Sequence, residues 1–117
     1  FHKKFDIPVN SIGHIPTSDR ILLRIRLIAE ELGELIEAME RKDYPQVAKE
    51  MADLLYTVYG TGVEWGVPVD EIFQAVHAAN MTKEGAQGTD AKIRKGKNYS
   101  PPDIEHILQQ IINRRQK

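Results

Sequence analysis

Cysteine is absent from the 117 residues. That excludes a disulfide scaffold, a thiolate zinc site and a cysteine nucleophile, and it leaves the redox compartment open. Long apolar runs are missing too: none approaches the ~20 residues that a membrane helix needs. No signal peptide precedes Phe1, so the expected setting is cytoplasmic, with no membrane partner. The chain starts at Phe1 rather than at methionine, which leaves its natural beginning open. Neither sign of charge dominates. Sixteen Lys and Arg stand against seventeen Asp and Glu, and the net charge of -1 argues against non-specific nucleic-acid binding, although a local basic patch still suits phosphates. Aromatic residues are few, at 7%, and of these Tyr56 and Trp65 read as core or interface residues rather than as platforms for a base.

What remains is a globular composition, 28% charged and 41% hydrophobic, in a length that suits one domain over residues 1–117 with one modest core. Residues 1–18 form a non-periodic lead in which Pro8 and Pro16 discourage helix and His2 and His14 read as loop histidines. Ser18 or Asp19 is placed to cap a first helix over 20–41. Its stripe is Ile21, Ile25, Ile28, Leu32, Leu35 and Met39, widened by Leu22 and Ile36. Gly33 interrupts that helix at a cost of ~1 kcal/mol against alanine, which points to close approach by another helix or a ligand. Arg20, Arg24 and Arg26 read as surface ion-pairing residues, with an arginine that reaches phosphates as the alternative.

Asp43 and Pro45 open a second helix to Trp65, with Val47, Met51, Leu54, Leu55 and Val58 on its apolar face and Gly66 as its stop. A third helix is expected over 69–81, with Ile72, Phe73, Val76 and Ala79 inward. Residues 82–100 read as a basic loop with one short extended piece near 91–94. A fourth helix over 103–116 carries Ile104, Ile107, Leu108, Ile111 and Ile112. Four helices without a strand ladder predict an all-α, bundle-like fold.

Within this frame Glu31 and Glu34 stand three apart on the first helix, and Glu50 and Asp53 three apart on the second. Such pairs share a helix face, and a short connection between antiparallel helices brings all four carboxylates together. Like charges gathered among apolar residues cost free energy unless a cation or protons offset them. Hard oxygen ligands on rigid supports suit Mg²⁺, completed by water and substrate phosphates. Glu30 is placed to orient or deprotonate an attacking water. The helices carry no Glu-x-x-His pair for a di-iron site, and no EF-hand loop is present. The competing account is a solvated acidic face on a helical module that is not an enzyme.

Asn80 and Lys83 are again three apart; a lysine there either meets phosphate oxygens as a point charge or simply complements the C-terminal end of the helix dipole. In the basic loop, Lys95 and Lys97 beside Tyr99 are candidates to close over a triphosphate; a solvated charge run is the alternative.

The segments EELGELIEAM, EMADLLYTVYG, NMTK and KGKNYSPPD together resemble the all-α nucleoside triphosphate pyrophosphohydrolases of the MazG type, in particular the small branch related to phosphoribosyl-ATP pyrophosphohydrolase. The resemblance runs from the FHKKFDIP lead to Asp103. It implies Mg²⁺, or Mn²⁺ in its place, on Glu31, Glu34, Glu50 and Asp53. It implies Glu30 as helper of the attacking water and Asn80 and Lys83 as phosphate contacts, with Lys95, Lys97 and Tyr99 near them. The implied reaction cleaves a (d)NTP between its α- and β-phosphates, giving the monophosphate and pyrophosphate, in a homodimer or homotetramer that clears unwanted nucleotides. Phosphoribosyl-ATP is a further substrate that the resemblance allows.

Overall fold

The computed structural model describes residues 10–86, 93–94 and 99–116. Lys95 and Lys97 lie outside the described residues, as does His2. The described chain is all-α, with four helices and one short two-stranded ribbon. It divides into two compact units, the first ending at Val67 and the second beginning at Pro68.

In the first unit α1 spans Ser18–Arg41 and α2 spans Tyr44–Trp65. The expected cap shifts by one residue: Thr17, not Ser18 or Asp19, accepts from the Arg20 amide at 3.4 Å, and Asp19 sits in the first turn, where its charge suits the helix dipole. Lys42 ends α1 in the left-handed region at φ 57°, its N–H returning to Ala38 and Met39 carbonyls. Asp43 then caps α2 through the Gln46 amide at 3.3 Å, with Pro45 in the first turn as expected. Only Lys42 and Asp43 separate the helices, so they run antiparallel: Arg20 meets Glu64, and Arg24 meets Thr57 and Thr61.

Gly66 stops α2 at φ 68°, and a Cβ there would collide with the Ser11 carbonyl. The Asn10 amide and side chain bond to the Val63 and Glu64 carbonyls at 3.1 and 2.8 Å, so this part of the lead is tied to the last turn of α2. At Gly33 a Cβ would meet nothing within 4 Å, so among the described residues no other helix approaches it closely.

The apolar stripes are only partly buried. Leu35 and Ala38 form the apolar core of α1, whereas Leu22, Ile25, Leu32, Ile36 and Met39 are exposed. On α2, Met51, Leu55, Tyr56, Val58 and Tyr59 are exposed as well. Two packed helices cover one side of each other, so stripes wider than one contact seam remain open.

In the second unit α3 spans Val69–Asn80 and α4 spans Ile104–Arg115. Asp103 caps α4 through the His106 amide at 3.1 Å, and Glu71 pairs with Arg114. Ala79 and Ile111 are buried; Phe73 and Val76, expected inward, are exposed. The stretch expected to be a loop contains a ribbon, β1 at Glu84–Ala86 pairing antiparallel with β2 at Ile93–Arg94. Of the extended piece expected near 91–94, the described part, Ile93–Arg94, is a strand, and its partner lies just after α3.

Candidate active site

The first unit holds two polar clusters between α1 and α2. One is structural. Glu64 is fully buried, and its carboxylate takes the Arg20 Nε at 2.8 Å and an Arg24 guanidinium nitrogen at 3.2 Å. Arg24 is itself buried and donates from Nε to Thr61 Oγ1 at 3.1 Å and from its other terminal nitrogen to the Thr57 carbonyl at 2.9 Å. The hydrogen bond to Glu64 holds the Arg20 guanidinium above its already high ordinary pKa. This corrects the surface reading of Arg24. Its charge is committed to the helix pair and is not free to meet phosphates. The sign was present in the sequence: Thr57, Thr61 and Glu64 recur at steps of four and three, and Arg20 and Arg24 at four, one polar seam opposite another.

The second cluster is the acidic one. Glu31 from α1 and Glu50 and Asp53 from α2 bring carboxylate oxygens within 4.8 Å of one another. Glu50 is 3% exposed. Its Oε1 accepts from Gln46 Nε2 at 2.6 Å, while its Oε2, like Oε2 of Glu31, is buried with no hydrogen-bond partner. A buried unsatisfied polar atom costs ~1–3 kcal/mol, more when charged. Glu34 is exposed at the edge of this group. A hydrogen bond with Glu50, then the charges of Glu31 and Glu50, hold its carboxyl above the usual carboxylate range. The structure thus brings three of the four expected carboxylates together, with Glu34 exposed at their edge rather than among them.

Two buried carboxylate oxygens without donors, converging with a third carboxylate, fit a hard divalent cation, which supplies the missing positive charge without needing a proton. Lys49, which the sequence reading passed over, reaches the same cluster. Its Nζ lies 2.8 Å from Asp53 Oδ2 and 3.4 Å from Glu50 Oε1. The hydrogen bond to Asp53, then that to Glu50, hold its ammonium above the ordinary lysine range. The i,i+4 spacing of Lys49 and Asp53 was the available signal.

Glu30 is exposed on α1 and stands outside the trio of close carboxylates. Asn80 is the exposed last residue of α3, in the second unit. There Lys83 places its Nζ 5.6 Å from the centroid of the Tyr99 ring, within cation–π range, a contact the spacing did not suggest.

A family model described as phosphoribosyl-ATP pyrophosphohydrolase matches residues 1–80. The chain belongs to this family. It therefore stands within the MazG-like superfamily of nucleoside triphosphate pyrophosphohydrolases, and its all-α architecture agrees. The match takes in Glu31, Glu34, Glu50 and Asp53 and ends at Asn80, so Lys83 and Tyr99 lie beyond it. The chain is also 32% identical over 74 residues to an uncharacterised protein of Acanthamoeba polyphaga mimivirus, a match covering 60% of this chain and 30% of that protein. Among the described residues no helix is long and apolar enough to cross a membrane.

Proposed function

We propose that residues 1–117 form one catalytic domain that hydrolyses a nucleoside triphosphate between its α- and β-phosphates, releasing the monophosphate and pyrophosphate. One observation carries this reading: Glu31, Glu50 and Asp53 converge, with buried oxygens of Glu31 and Glu50 unpartnered. With Glu34, these residues would hold Mg²⁺, or Mn²⁺ in its place. A bound divalent cation polarises phosphoryl oxygens and lowers the pKa of water.

The chain's own residues divide the remaining work. Glu31 and Glu50, fixed on facing helices, present oxygens at a set spacing, and Gln46 holds Glu50 by the oxygen that does not face away from all donors. Glu30 accepts the proton of the attacking water or orients it. From the family resemblance alone we also propose Asn80 and Lys83 as phosphate contacts, with Lys95, Lys97 and Tyr99 as further candidates. The Arg24–Glu64 cluster keeps α1 and α2 in register, which maintains the spacing of the carboxylates.

We also propose a homodimer or homotetramer. Leu32 at 45% exposure and Leu55 at 53% are a poor solution for a lone soluble chain, and a second copy covers such a face. The setting we propose is cytoplasmic, and the role is clearance of unwanted nucleotides.

The test is incubation with Mg²⁺ and a panel of canonical and modified (d)NTPs, including phosphoribosyl-ATP because of the family match. Pyrophosphate and a monophosphate are the expected products. Orthophosphate with a nucleoside diphosphate would mean that another bond is cut. No turnover with any member would favour a non-catalytic helical or nucleotide-binding module.

A further inference from the structure

Within this chain the acidic cluster already holds one cation, the Lys49 ammonium. It sits against Asp53 Oδ2 and Glu50 Oε1, both from residues of the close carboxylate trio. An ammonium and a divalent ion repel each other and draw on the same lone pairs, so they compete for Asp53. Lys49 can yield easily: its side chain is 62% exposed on a flexible four-carbon stem. Glu50 Oε2 has no such partner and stays available throughout. An ammonium displaced from Asp53 needs a new anion, and the nearest strong anion beside a metal-bound nucleotide is its phosphate chain.

We propose that Lys49 is an exchangeable counter-ion: it competes with the divalent cation for Asp53 and Glu50, and when the cation takes those oxygens it turns to the phosphate oxygens of the bound substrate. The proposal rests on the metal-site reading above. It gives Lys49 effects of opposite sign on metal and on phosphate, which a merely structural surface lysine does not have.

Binding of Mn²⁺, followed by electron paramagnetic resonance of the free ion, separates these roles in wild type, Lys49→Gln and Lys49→Arg. Lysine and glutamine have similar helix propensity, so the fold is kept. An exposed ion pair is a weak competitor, so Lys49→Gln should bind Mn²⁺ about two- to fivefold more tightly. Lys49→Arg, which keeps the charge, should stay near wild type. Calorimetry with inorganic pyrophosphate at saturating Mg²⁺ should show the reverse, with binding weakened about two- to fivefold in Lys49→Gln. Equal or weaker Mn²⁺ binding by Lys49→Gln, with wild-type binding intact, overturns the role of Lys49 and leaves the metal site standing. Unchanged pyrophosphate affinity overturns the exchange. A wild-type protein that binds no Mn²⁺ overturns both readings.

Discussion

Replacing Glu50 by glutamine should change stability in opposite directions with and without a divalent metal. Glu50 is 3% exposed, and its Oε2 is buried without a donor, beside an equally unpartnered oxygen of Glu31. An unsatisfied buried acceptor costs ~1–3 kcal/mol, and neighbouring carboxylates add repulsion. Glutamine keeps the shape and the Oε1 acceptor that Gln46 uses, removes one charge, and supplies an N–H where Oε2 stood. In EDTA, Glu50→Gln should therefore be more stable than wild type by about 1 kcal/mol, or roughly 4 °C in Tm for a chain of this size. With metal the order reverses. A ligand at 100 times its Kd stabilises the folded state by about 2.7 kcal/mol, roughly 10 °C here, and the variant should lose most of that gain. The assay is thermal unfolding followed by circular dichroism, in EDTA and over a Mg²⁺ titration, beside turnover of the best nucleotide. A Glu50→Gln protein that is destabilised in EDTA and keeps the full Mg²⁺ shift would refute the argument, since Glu50 would then be an ordinary structural carboxylate.

Glu64→Ala should destabilise by about 3–5 kcal/mol, because it leaves the buried Arg24 charge without its carboxylate. Urea unfolding checks this, and a cost under about 1 kcal/mol would show that Arg24 finds water instead. The double variant Arg24→Met with Glu64→Leu should recover most of the loss, as a packed apolar pair of similar volume replaces the ions. The acidic cluster should also impose a pH dependence. The folded-state pKa of Glu34 is raised, so the stability linked to its protonation is fully present below its unfolded value, about 4.3, and is lost as pH rises through the folded value. In EDTA, Tm should therefore carry a component that falls from mildly acidic towards neutral pH, and Glu34→Gln should remove it. In Mg²⁺ the component should vanish or reverse, because protons and metal compete for the same oxygens.

Much of the fold was legible because its signals are local. The cap at Asp43, the stop at Gly66 and the proline in the first turn of α2 act within a few residues of where they stand, so helix boundaries could be read to within one or two positions. The paired spacing of Glu31 with Glu34 and Glu50 with Asp53 placed each pair on one face, and the two-residue connection at Lys42 and Asp43 made the faces meet. The short ribbon was half visible: the Ile93–Arg94 segment looked extended, but its partner at Glu84–Ala86 is rich in nothing that favours strands. Polarity misled the reading of Arg24, since an arginine is ordinarily a surface residue unless a specific partner accompanies it inward.

By itself, then, the sequence determined where helices start and stop and which residues carry oxygen ligands, because capping, periodicity and side-chain chemistry belong to each segment alone. Only the tertiary structure decided which polar groups lose water. Glu50 and Glu64 are both glutamates on α2, equally acidic in the sequence, yet Glu64 is buried with two arginines and Glu50 is buried with an oxygen left over. The difference arises from what α1 presents opposite each of them, arginines near its start and Glu31 further along. That pairing across the helices turns one carboxylate into a structural anchor and leaves the other ready for a cation.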